Sequence, residues 1–269
     1  MRRLVSFVAA FVLTAALPAP ALAADPDPAA LDRGSELAYR RALTAEAGKK
    51  TLNADAAAVQ RLRRIANRLV GATPAVVPAA RGYHWEVNVR ADPAADVRAY
   101  PGGRLLVSDG LATRTGMKDD EVAAVLAHAM AQLLLGHDVA RLAASAGAIA
   151  PSPDPNRETL AWADAIAESM RAPRYDPAQI EAADRMSAEL MARAAYDPRA
   201  LGSAWRQLAR TSSGIVVAAP VTDARLAAMD AAARAAVPLY EAAVARAAAA
   251  QPGVRPPTGA PARTGPAIR

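Results

Sequence analysis

The chain has 269 residues, 53% of them hydrophobic and only 4% aromatic, enough for one domain with a sizeable core of Ala, Leu, Val and Met. It contains no cysteine, which excludes disulfides, thiolate zinc sites and an N-terminal lipid anchor on cysteine. The formal charge of +6 is almost all Arg scattered among acids, with no basic stripe interleaved with aromatics, so nucleic acid is excluded as an expected partner.

The N-terminus reads as a signal peptide over residues 1–23. Arg2 and Arg3 precede an uncharged run from Leu4 to Ala16, Pro18 and Pro20 break it, and Ala21-Leu22-Ala23 makes a small-x-small cleavage site. The run is shorter than the roughly 20 residues a spanning helix needs. The reading is therefore export to the periplasm with cleavage near Ala23 and no stable membrane span afterwards; an uncleaved anchor is the alternative.

A domain over residues 24–250 follows. An Ala-rich composition with little β-branching favours helices, so the expected class is α+β, mostly helical with a small sheet. Helical patterning runs from Ala29 to Ala47. Val59, Leu62, Ile65, Ala66, Leu69 and Val70 then repeat at three- and four-residue steps, a second helix expected to stop at Gly71. Trp85 to Arg90 alternates as a strand, with Val87 and Val89 on one side and Glu86, Asn88 and Arg90 on the other. Val97 to Tyr100 and Arg104 to Val107 form two further strands around the Pro101-Gly102-Gly103 turn.

Asp119 or Asp120 is expected to cap a helix running to Gly136. It is apolar all round, which marks a buried central helix. A polar loop spans Pro151 to Arg157. Helices follow over Thr159–Met170 and Pro177–Ala195, then one opened by the Asp197-Pro198 cap, and a last one from Asp223 with Pro238 inside it. Residues 251–269 are rich in Pro, Gly and Arg and read as a disordered tail.

Histidine occurs at His84, His128 and His137 alone, and neither a nucleophile elbow nor a phosphate-binding glycine loop is present. The informative stretch is His128-Ala129-Met130-Ala131-Gln132 in the central helix. Positions 128 and 132 face the same way, the spacing by which a zinc helix aims two imidazoles at one ion with a Glu beside the first. Here Ala129 stands for the Glu and Gln132 for the second His. His137, nine residues on, would lie on the opposite face of a continuous helix.

Four blocks resemble the zinc metallopeptidases of the HtpX and CAAX prenyl endopeptidase type, metallopeptidase family forty-eight. They are Ala99-Tyr100-Pro101-Gly102-Gly103-Arg104 through Asp109-Gly110-Leu111, Asp120 through His128, Ala183-Asp184-Arg185 through Asp197-Pro198, and Thr222 through Met229. The resemblance implies a zincin-like fold with a three-stranded sheet or hairpin beside the buried helix. It places the family's first zinc ligand on His128, its catalytic Glu on Ala129, its second ligand on Gln132 and its third on Ala182. It also places a family His near the last helix on Ala219, while the Asp after the third ligand survives as Asp184. By the same resemblance, the edge at Ala99, Tyr100, Gly102 and Gly103 is where an extended peptide would lie.

His128 as the only retained ligand position makes a poor zinc site, and without a carboxylate at 129 no base accepts the water proton. The expectation is therefore a degenerate family member, a pseudopeptidase with no cofactor and no catalytic residue, binding unfolded or extended polypeptide or an envelope protein. The alternative is an active metalloendopeptidase with an atypical zinc site of His128, Gln132 and Glu181 or Asp184, using Glu121 or another acid as base. A purely structural periplasmic protein is the third reading.

Overall fold

The computed structural model describes residues 27–145, 149, 152–171, 175–211 and 220–250. The expected signal peptide, the C-terminal tail and Ala219 lie outside the described residues. Two helices come first, α1 (Pro28–Gly48) and α2 (Ala56–Val76), then a short 3-10 turn at Pro78–Gly82. Strands β1 (Glu86–Arg90), β2 (Val97–Tyr100) and β3 (Arg104–Ser108) follow, and a one-turn helix α3 (Gly110–Thr113) leads to α4 (Asp119–Leu134). The remaining elements are α5 (His137–Ser145), α6 (Pro155–Ser169), α7 (Pro177–Arg193), α8 (Ala200–Thr211) and α9 (Asp223–Ala249). The class is α+β and mostly helical, with one three-stranded sheet among the described residues.

Local sequence explains where the helices start. Asp27, Asp154 and Asp176 each cap a helix whose next residue is proline; the carboxylate accepts from free N–H groups one or two residues further on, and the proline occupies a position whose N–H would have no helical partner. Asp197-Pro198 differs. The Asp197 carboxylate bonds the Arg199 amide, and the first backbone bonds, Ala200 N to Asp197 O and Leu201 N to Pro198 O, span three residues. The α-helix itself therefore begins at Ala200 rather than at the proline.

Gly71 does not stop α2, which continues through Pro74 to Val76. Proline at 74 cannot donate to the Val70 carbonyl one turn back, and the Thr73 hydroxyl donates to it instead at 2.9 Å. Neither Asp119 nor Asp120 caps α4. The Glu121 carboxylate accepts from the Lys118 amide at 3.0 Å, while Asp119 binds Arg61 and Arg64 and Asp120 accepts from the Asp197 amide. Helix α6 begins at Pro155, inside the segment read as loop from sequence.

The sheet order is β1-β3-β2, with β1 parallel and β2 antiparallel to the central β3. Alternate residues of β3 feed two different cores. Leu105 and Val107 pack into the main core with α2, α4, α7 and α8, whereas Leu106 packs with Tyr39, Tyr100, Trp162 and Ile166 in a second core beneath α1 and α6. Helix α1 is tied to the sheet by Ser35 Oγ donating to Pro101 O at 2.6 Å and Tyr39 Oη donating to Leu105 O at 3.1 Å. Because α1 covers this face, Asn88 is buried rather than solvated. Its amide donates to Tyr39 Oη, and its oxygen accepts from Asn53 and Arg63.

At the β2–β3 turn, Gly102 (φ +87°) and Gly103 (φ +100°) adopt left-handed conformations that favour glycine. The Asp32 carboxylate, paired with Arg104, also sits where a side chain at 102 would stand. Helix α4 runs through the main core, with Val122 to Ala127 and Met130 to Leu134 all buried. Among the described residues no single helix is long and apolar enough to cross a membrane.

Candidate functional site

Helices α4, α7, α8 and α9 bring one polar cluster together inside the main core. The α4 start is pinned on both sides. Arg61 of α2 donates to the Ala112 and Met117 carbonyls and to Asp119, and the Glu121 carboxylate accepts from Ser203 Oγ of α8 at 2.8 Å. These bonds set the rotation of α4, and with it the direction of His128 two turns on.

The His128 ring meets four groups. Its Nδ1 lies 2.9 Å from Asp184 Oδ1 of α7, with both side chains nearly buried. The approach is close but poorly aligned for a hydrogen bond. Its Nε2 lies 3.3 Å from Gln132 Nε2. The Trp205 ring of α8 meets it edge-on, with centroids 4.9 Å apart. Behind Asp184 stands Arg225 of α9, whose guanidinium also lies 4.8 Å from the Trp205 ring centre.

His137 joins the same cluster, which corrects the sequence expectation. Helix α4 ends at Leu134, Gly136 turns the chain at φ +69°, and α5 leaves at 53° to α4. The chain therefore folds back, and His137 Nδ1 lies 2.7 Å from Gln132 Oε1. In this amide orientation the bonds run one way: His137 Nδ1–H donates to Gln132 Oε1, and Gln132 Nε2–H points at the His128 Nε2 lone pair. His128 then carries its proton on Nδ1, facing Asp184.

Burial alone would raise the Asp184 carboxyl; His128 and Arg225 together override it and hold it below the usual carboxylate range. Burial lowers the His137 imidazole from its ordinary 6.5, and nearby His128 adds to this against the opposing pull of Asp138 and Asp176.

The remaining expected positions are also placed. Ala129 and Ala182 are half-buried methyl groups. Glu181 is exposed on α7 and pairs with Arg185, while Glu121 is committed to the start of α4 and to Ser203. Among the described residues, no three His, Cys, Asp or Glu side chains gather where they could hold a metal ion. The donor set does not fit zinc for a geometric reason: Asp184 faces Nδ1 of His128, whereas the free lone pair is on Nε2, across the ring. One ion cannot reach both. At Nε2 the available neighbour is a neutral amide.

At the sheet, Tyr100 is buried, and the Gly102 and Gly103 carbonyls accept from the His84 and Glu86 amides on the β1 side. The open side of the sheet is therefore the outer edge of β2. Ser108 N donates to Asp96 O, so with this register Arg98 and Tyr100 bond inward to β3 while the Val97 and Ala99 backbones face outward.

Residues 56–153 match the model of Peptidase family M48. Over that stretch, about a third of the chain, the protein is similar to peptidase family M48. The match runs from the first turn of α2 to just before α6 and contains the sheet, the turn and all of α4 with His128. It is to the family as a whole and singles out no subgroup. The M48 span ends before Asp184 and Arg225, which complete the cluster from α7 and α9. No curated protein matches the chain.

Trp205, Arg225 and His137 are the site residues that sequence reasoning missed. A signal existed for Arg225: a buried Asp needs a cation, and the Thr222-Asp223-Ala224-Arg225 block supplies one.

Proposed function

We propose that the protein is a catalytically silent M48-fold factor, exported to the periplasm, that holds extended polypeptide without cleaving it. One observation carries this reading. The Nε2 lone pair of His128, the atom that would face a catalytic ion, is answered by the Gln132 amide, while the outer edge of β2 has no strand partner among the described residues. An unpaired edge binds extended chain through backbone hydrogen bonds, which need none of the lost ligands. The expected cofactor is none.

Two measurements on the purified protein test it. Elemental analysis should find far less than one zinc per chain, and a fluorescent unfolded polypeptide should bind without being cut. Ala99→Pro is the informative variant, because it deletes an outward N–H and spares the ladder to β3. Proline at Arg98 would break the ladder itself. Binding should fall with Ala99→Pro. Full zinc occupancy with chelator-sensitive cleavage would overturn the silent reading, and undiminished binding by Ala99→Pro would remove the proposed edge. N-terminal sequencing of envelope-fraction protein tests export, which predicts Ala24 as the first residue.

A further inference from the structure

Three arginines from three helices meet at a surface cleft of about 250 Å³ between α2, α7 and α9. They are Arg68, Arg193 and Arg246, and no acidic side chain lines the cleft. Gly71, Ala72, Ala243 and Ala247 also line it, and side chains this short leave room for a ligand between the guanidinium groups.

The three arginines are held differently. Arg68 Nη2 donates to the Ala194 and Ala195 carbonyls at 2.8 and 3.0 Å, and its guanidinium lies 4.1 Å from the Tyr196 ring centre. These partners are neutral, so they orient the group without cancelling its charge. Arg193 pairs with Glu189 of its own helix. Arg246 is exposed and makes no hydrogen bond or ion pair with the described residues. Positive charge is therefore left over in the cleft. The same end of α9 leads into residues 251–269, where Arg255, Arg263 and Arg269 are accompanied by no Asp or Glu.

We infer that this cleft and the tail after it form a docking surface for an anionic phospholipid bilayer, with a lipid phosphate seated among Arg68, Arg193 and Arg246. The uncompensated charge sets the sign of the ligand. Guanidinium donors match phosphate oxygens, and Arg68 is already oriented by its carbonyl bonds, so it loses little freedom on binding. The tail selects a surface over a single small ion. Its three arginines extend the basic charge along the chain, and a bilayer offers many phosphates where one ion offers a single group. Such docking needs no apolar span. The inference does not depend on the polypeptide-binding reading, since it uses neither the His128 cluster nor the outward amides of β2.

The test is co-sedimentation of the purified protein with vesicles of phosphatidylcholine, alone or mixed with phosphatidylglycerol. The anionic vesicles should bind it about tenfold or more tightly, and raising the salt should weaken that binding. Arg246→Gln removes a charge with no structural partner, and Ala247→Glu sets an acid beside the cleft while every arginine stays in place. Each should weaken binding about fivefold and keep the wild-type circular dichroism spectrum. Changing Arg255, Arg263 and Arg269 together to Gln should weaken it further. Arg157→Gln, which removes an equal charge from exposed α6, is the control and should bind as wild type. Equal binding to both vesicle types would overturn the inference. So would a loss in Arg157→Gln as large as in Arg246→Gln, since net charge alone would then explain the attraction. Calorimetric binding of inorganic phosphate without vesicle binding would also overturn it, leaving a site for a small anion only.

Discussion

Arg225 grips Asp184 as a fork, with Nε 2.8 Å from Oδ2 and Nη2 3.0 Å from Oδ1. This pair locks α9 to α7 and positions Asp184 under the His128 ring. Both side chains are nearly buried, so removing one partner strands a charge. Arg225→Ala should therefore destabilise the protein by about 3 kcal/mol or more. Asp184→Asn should cost less, because a neutral amide tolerates burial better than an unpaired carboxylate. Urea denaturation of the two variants against wild type gives the order, and an Arg225→Ala protein as stable as wild type would show that the fork contributes little.

Gln132 links two imidazoles that belong to different helices. Truncation to Ala leaves His137 Nδ1 and His128 Nε2 without the partners they have now. A loss of about 1–3 kcal/mol is expected, the range for buried polar groups left unsatisfied. Nitrogen NMR of the rings supplies the specific readout. Wild-type His128 should show a protonated Nδ1 and a lone pair on Nε2, and the Nε2 signal should move in Gln132→Ala while that of exposed His84 stays put.

Stability should fall in two steps on acidification. The folded His137 lies below its ordinary 6.5, so as pH drops through about 6.5 the unfolded chain takes up that proton more readily and unfolding is favoured. Asp184 is held below the carboxylate range, so its contribution is complete above the unfolded value near 3.9 and is lost as pH falls through the folded value. Denaturation midpoints from pH 8 to pH 3 test both steps. His137→Asn should flatten the upper step only, and a midpoint that rises on acidification from pH 7 to 5 would contradict the His137 assignment.

The elements with clean periodicity were legible in the sequence, and so was the mostly helical class. The departures share a cause, which is that one residue's role depends on a neighbour the pattern does not show. Gly71 reads as a stop, but it lies in a helix that continues because Thr73 serves the carbonyl Pro74 cannot. Asn88 reads as a solvent position until α1 covers that face of the sheet. His137 reads as facing away only if α4 stays straight; the left-handed Gly136 turns it inward. At the site, the positions of His128 and Asp184 were readable from the family resemblance, and a cation at Arg225 from its block, whereas Trp205 comes from a helix with no local chemical signature. Their convergence is a tertiary fact.

Helix α1 crosses α6 at Gly34, and the closeness of that crossing makes a sharp prediction. A methyl group built on Gly34 would stand 2.3 Å from Trp162 Cβ and 3.2 Å from the Ala163 nitrogen, backbone-near atoms that cannot swing aside. The helices would have to separate, loosening the second core around Trp162, Ile166 and Tyr39. Gly34→Ala should therefore destabilise by about 1–3 kcal/mol, even though alanine is the better helix former. Gly48, at the end of the same helix, has open space where its side chain would be, and Gly48→Ala should be neutral or slightly stabilising. Melting temperatures of the two variants measured side by side separate packing from propensity. If both rise together, α1 and α6 are not in the close contact that ties the second core to the sheet.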